Sequence, residues 1–144
     1  MISRAFAKHM DAAGLVVYRP AAGGDCFLEH LPDAPDEAVA VYSTGGNPLP
    51  AAATQGYDEP TLQLLVRGAP EDPESPKARA DGLYAALQGL RYVWLDEGGV
   101  DAVFLVACSS PQTAPVGIGT DERGRQRYSL NFALHVRALT GHRD

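Results

Sequence analysis

Over residues 127–137 apolar and polar side chains alternate without a break: Tyr128, Leu130, Phe132, Leu134 and Val136 fall on one side of an extended chain, with Ser129, Asn131, Ala133, His135 and Arg137 on the other. A period of two belongs to a strand, because successive Cβ atoms point to opposite faces of a sheet. A helix would scatter the same apolar residues around its circumference. Any fold for this chain must therefore build a sheet around this segment and bury one of its faces. Residues 61–67 repeat the pattern, with Leu62, Leu64 and Val66 set against Thr61, Gln63, Leu65 and Arg67. Shorter β-branched and aromatic runs predict strands over 15–18, 38–43, 92–95 and 100–109, the last two joined as a hairpin by the Asp/Gly turn at 96–99.

Two segments change period. Ile2, Phe6 and Met10 recur every four residues and Gly14 follows where helices commonly stop, which predicts a helix over 2–13. In the second, Ser75 is placed to cap and Pro76 to occupy the first helical position, and Ala80, Leu83, Tyr84, Leu87 and Leu90 then form one apolar stripe up to Gly89. The 15 Gly and 11 Pro concentrate in the remaining stretches, so long loops are expected at about 19–37, 44–59 and 110–126. The order of helix, two or three strands, helix and three strands gives an α+β fold. It is expected as one domain over 1–144, a mainly antiparallel sheet of four to six strands with two principal helices packed on it. A chain of 144 residues with 45% hydrophobic content supports one core and no second.

A net charge of −6 and an isoelectric point near 5.1 argue against a domain that neutralises phosphates. The longest apolar run, residues 103–108, falls far short of the roughly 20 residues that span a bilayer. Residues 1–8 alternate charged and apolar side chains without a signal-peptide core, so a soluble protein made in the cytoplasm is expected. The 2 cysteines, Cys26 and Cys108, build neither a disulfide framework nor a CxxC pair, and both are expected reduced.

Catalytic signatures are missing from the sequence. The 4 histidines, His9, His30, His135 and His142, sit in no nucleophile, zinc or acid–base motif, and His135 reads as a surface histidine on the polar face of the last strand. The glycines of 117–121 lack the GK[ST] ending of a phosphate loop and read as a turn. Asp33, Asp36 and Glu37 lack the oxygen-ligand spacing of a calcium loop and read as a solvated acidic loop. No catalytic residue, cofactor or metal is expected. The alternation of Arg123, Arg125 and Arg127 would aim all three to one side of an extended segment. They read equally as a grip for a carboxylate-rich partner or as a solubilising loop. Arg67, Asn131 and His135 on polar strand faces, and Gln55 and Tyr57 in the long loop, complete the candidate contact residues.

The string Leu31-Pro32-Asp33-Ala34-Pro35-Asp36-Glu37-Ala38-Val39-Ala40-Val41 is followed in order by Pro60-Thr61-Leu62-Gln63-Leu64-Leu65-Val66-Arg67-Gly68 and by a helix ending Leu87-Gln88-Gly89-Leu90. Pro111-Gln112, Asp121-Glu122-Arg123-Gly124-Arg125 and Tyr128-Ser129-Leu130-Asn131-Phe132 close the series. From about Leu31 to Val136 this order resembles the phage minor capsid and tail terminator family of long-tailed viruses. The resemblance implies a structural virion protein, a ring expected as a hexamer of identical subunits. Such a ring caps the tail tube at the head-proximal end of the tail, joins it to the head–tail connector, and lets double-stranded DNA pass without specific binding. It implies no catalytic residue and no membrane. The competing readings are a head-completion or stopper protein of the connector, and a small cytosolic enzyme or ligand-binding domain using His135, Tyr128 or Asp121.

Overall fold

The computed structural model describes residues 1–46 and 57–137. Along the chain the elements are α1 (Ile2–Ala12), β1 (Cys26–Leu28), β2 (Ala38–Gly46), β3 (Tyr57–Asp58), β4 (Pro60–Pro70), α2 (Glu74–Leu87), β5 (Val93–Leu95), β6 (Val103–Ser109), β7 (Val116–Thr120) and β8 (Arg125–Arg137). The fold is α+β, and its sheet of 8 strands is larger than the four to six expected. The order is β1-β2-β4-β8-β6-β5, with β3 and β7 also paired to β8. Every pairing is antiparallel except that of β1 with β2.

The alternating segment forms β8 at the centre, where Leu130, Phe132, Leu134 and Val136 are all buried. Beside it β4 contributes Leu62, Leu64 and Val66, each fully buried. Both helices pack on this face: Phe6 and Met10 of α1 and Leu83 and Leu87 of α2 join the same apolar cluster. The Phe6 and Phe132 rings lie 6.4 Å apart. Burying a Leu or Phe of this kind contributes roughly 1.5–3 kcal/mol, so these side chains dominate the stability. Helix α1 touches β1 and β2 near one end of the strand order and β5 at the other, so the sheet curls around it.

The local chemistry explains the ends. Gly14 takes φ +76 just past α1, where the Leu15 N–H bonds back to the Met10 carbonyl at 2.9 Å. At α2 the helix starts at Glu74, before the expected Ser75–Pro76 start, and the Ser75 amide is held by the Asp72 carboxylate at 3.1 Å. Gly68 lets β4 pass against α2, since a Cβ there would sit 2.5 Å from Pro76 Cγ.

Three other expectations are corrected. Residues 15–18 form no strand, because the Val17 carbonyl accepts from the Asp25 and Cys26 amides at 2.8 and 3.2 Å, closing a loop instead. The edge position falls to β1, within a stretch expected to be mostly irregular. The expected loop at 110–126 contains β7, and the one at 44–59 begins inside β2 and ends in β3. Both short strands exist through backbone pairing to β8, which their own side chains do not announce.

Candidate assembly surface

The sheet face away from the helices carries the opposite set of β8 side chains. Register aligns them into rows across the strands: Tyr42, Gln63 and Asn131 form one, and Ala40, Leu65 and Ser129 another. On its far side β8 pairs with β6 as far as Ala133 and with β7 from Ser129, so Asn131 falls in the gap between them. Gln112, in the β6–β7 connection, fills that gap: its Oε1 accepts the Asn131 backbone N–H at 3.3 Å and the side-chain amide at 3.4 Å. Gln63 donates to Ser129 Oγ at 2.9 Å beside it. Asn131 thus completes the sheet's own hydrogen bonding, a demand of buried backbone groups.

At the end of this face where β8 begins, two buried arginines hold the segment 32–36 onto the sheet. Arg67 donates from Nη2 to the carbonyls of Pro32 and Pro35 at 2.7 and 2.6 Å, and from Nε to that of Asp36 at 2.9 Å. Burial, with Arg125 nearby, lowers its pKa from the ordinary arginine value. Arg125 donates to Asp121 Oδ2 at 2.7 Å, to the Asp33 carbonyl at 2.6 Å, and to the Asp33 and Asp36 carboxylates at 3.0 and 3.1 Å. Burial works against its charge, but the bonds it donates to Asp121, Asp33 and Asp36 prevail and raise its pKa.

Two expectations change here. Asp33 and Asp36 are ion-paired rather than simply solvated, Asp33 also reaching Arg123 at 2.7 Å. Arg123, Arg125 and Arg127 do not form one exposed cluster: Arg123 lies on the turn and is exposed, Arg125 is buried, and Arg127 is half-buried. The reason is that segment 32–36 folds over Arg125 and supplies its anions from within the chain. The Arg127 side chain makes no hydrogen bond or ion pair among the described residues, and its Nε is buried without an acceptor.

At the opposite end, register aligns Trp94 with Phe104, Phe104 with Arg137, and Arg137 with Tyr57. The Trp94 and Phe104 rings meet edge-on at 5.5 Å, and Tyr57 meets His135 in the same way at 5.4 Å. Trp94 is half exposed, so an aromatic row with a cation in it faces outward. The structure brings Tyr57 and His135 together; Gln55 lies outside the described residues, as does His142. Trp94, Phe104 and Gln112 were missed by sequence reasoning, because nothing in a single aromatic or glutamine reveals which strand will lie beside it.

Chemistry-bearing side chains do not converge here. Cys26 and Cys108 are buried, and burial pushes each thiol up to about 12, aided at Cys26 by Asp25. His9 is lowered by burial, and His30 Nδ1 lies 2.9 Å from the Leu28 carbonyl. Among the described residues no three His, Cys, Asp or Glu side chains gather as metal ligands would. An open depression of about 480 Å³ between Gly46, Asp58, Pro60, Asp101 and Val136 holds carboxylates and apolar atoms, with no histidine or cysteine among the described residues of its walls.

Helices on one sheet face and a broad, partly aromatic surface on the other place this chain in the class of two-layer α+β domains. Within that class, the chain belongs to the bacteriophage tail terminator protein family, whose family model matches residues 9–137. The match takes in the last turn of α1, all of α2 and every strand, and so reaches further toward the N-terminus than the resemblance read from residues 31–136. No curated protein matches the chain. The family is a structural, non-enzymatic kind of virion protein, located in the phage tail.

Proposed function

We propose that identical copies of this chain close into a ring, expected as a hexamer, that caps the finished tail tube at its head-proximal end and joins it to the head–tail connector. The observation that carries this reading is the family match over residues 9–137. The exposed Trp94 and Tyr57 support it, because aromatic residues are enriched where proteins meet. Of the candidate contact residues, Tyr57, His135, Arg123, Arg127 and Gln55 are assigned to direct contacts. Arg67, Arg125 and Asn131 act by holding the face in shape. The chain works without catalysis and without a cofactor, and is made in the host cytoplasm. Its net charge of −6 suits a lumen through which DNA must slide, since attraction would retain the duplex.

Electron microscopy of the purified chain, with pull-downs against tail tube subunit and against portal or adaptor protein, tests the reading. Rings that bind the tail tube are expected. Binding to portal or adaptor alone would instead make the chain a stopper, and a monomer that binds neither would remove the assembly role.

A further inference from the structure

Strand β7 lies outermost beside the first half of β8, and all five of its residues are exposed. Val116 sits across from Ser129 and Gly117 from Tyr128, which puts Val116 on the helix-free face; Ile118 follows at the irregularity before the Thr120–Gln126 pair, near Arg127. Both are more than two-fifths exposed, and the Arg127 guanidinium beside them has no anion among the described residues. A half-buried arginine without an acceptor, next to an exposed apolar pair, is a surface that awaits a carboxylate carried on an apolar segment.

The chain itself carries such a segment at the other end of the sheet. Leu95 and Val103 close the β5–β6 hairpin level with the end of β8, and the turn beyond them bears Val100, 91% exposed. Two of the turn's carboxylates are taken: Asp96 by Lys8 at 3.2 Å, and Asp101 by Arg4 at 3.3 Å. Glu97 is exposed and makes no hydrogen bond or ion pair among the described residues. Because the two surfaces lie at opposite ends of β8, one copy cannot join them to each other.

We infer that Arg127, Val116 and Ile118 of one copy receive Glu97 and Val100 of the next. This inference rests on the ring reading and names the contact that makes the ring. Two different patches meeting head to tail form a heterologous contact, and such contacts close into rings when the rotation between subunits permits. The Arg127 cation meets the Glu97 carboxylate, neither of them ion-paired among the described residues, and the valine packs against the β7 side chains.

The test uses the whole chain in sedimentation velocity across a concentration series, with Arg127→Glu, Glu97→Arg and the double exchange. Each single reversal is expected to weaken self-association at least about tenfold, and the double exchange to recover most of it. Glu97 is exposed, so Glu97→Arg keeps the variant folded, and Arg127→Gln serves if the reversal at 127 disturbs the strand. Rings that persist in both single variants would overturn the contact while leaving the ring intact, as would a double exchange that recovers nothing. Variants that keep the ring yet lose tail tube binding would assign the patch to the tube and overturn the inference in another way. A parent chain that never self-associates, alone or on tail tubes, would sink the ring reading and this contact with it.

Discussion

Replacing Arg67 with Met should detach segment 32–36 from the sheet while leaving the apolar core in place. Methionine keeps much of the aliphatic stem and removes the charged head, so the packing along β4 is largely retained. What is lost is three hydrogen bonds of 2.6–2.9 Å from the guanidinium of a residue only 4% exposed. Bonds from a charged donor contribute about 1.5–3 kcal/mol each, but two of these share one nitrogen and the freed carbonyls can rehydrate at the surface, so the total is about 3 kcal/mol. For a chain of 144 residues the unfolding entropy is roughly 0.3 kcal/mol/K, which turns that loss into a fall in Tm of about 10 °C. Thermal and urea melts followed by circular dichroism measure it, and amide exchange across 32–37 should quicken in parallel. Arg67→Lys, with a single point of donation, should lose about half as much. A variant melting within about 2 °C of the parent, its segment still protected, would refute the clamp.

Gly68→Ala should lower stability by about 1–3 kcal/mol in urea melts, because the added methyl meets the rigid Pro76 ring at 2.5 Å; Pro76→Ala in the same chain should recover part of it, and no recovery would mean the clash lies elsewhere. Glu29 seals the β2 edge by accepting the Ser43 amide at 3.0 and 3.2 Å, and although burial raises its carboxyl, these bonds hold it below the usual value. A depressed folded value means stability that is present above the unfolded pKa of about 4.3 and lost as pH falls through the folded one. Glu29→Gln should therefore flatten the acid limb of stability, and urea midpoints of parent and variant that fall in parallel below that pH would count against it. Cys26 and Cys108, with thiols raised to about 12, should resist iodoacetamide at pH 8 in the folded chain and react fully in urea; prompt labelling of the native protein would show that either site opens.

The strongest elements were legible because their cause is local. The alternation at 128–136 dictates which side chains of β8 enter the core, whatever lies beside it, and Leu62, Leu64 and Val66 do the same for β4. Ile2, Phe6, Met10 and Gly14 likewise determine α1 and its end, since periodicity and a positive-φ residue act within a few positions of the chain. The tertiary structure alone decided that β8 would lie between β4 and β6, and that β3 and β7 would exist at all, because short edge strands are held by a neighbour's backbone groups rather than by any pattern of their own. It also decided the fate of the arginines. Arg123, Arg125 and Arg127 are spaced alike in sequence, yet one lies on the surface, one is buried among carboxylates some 90 residues away and one has no partner within the described chain. A charge's environment depends on which distant segment folds over it, and residue spacing along one strand holds no information about that.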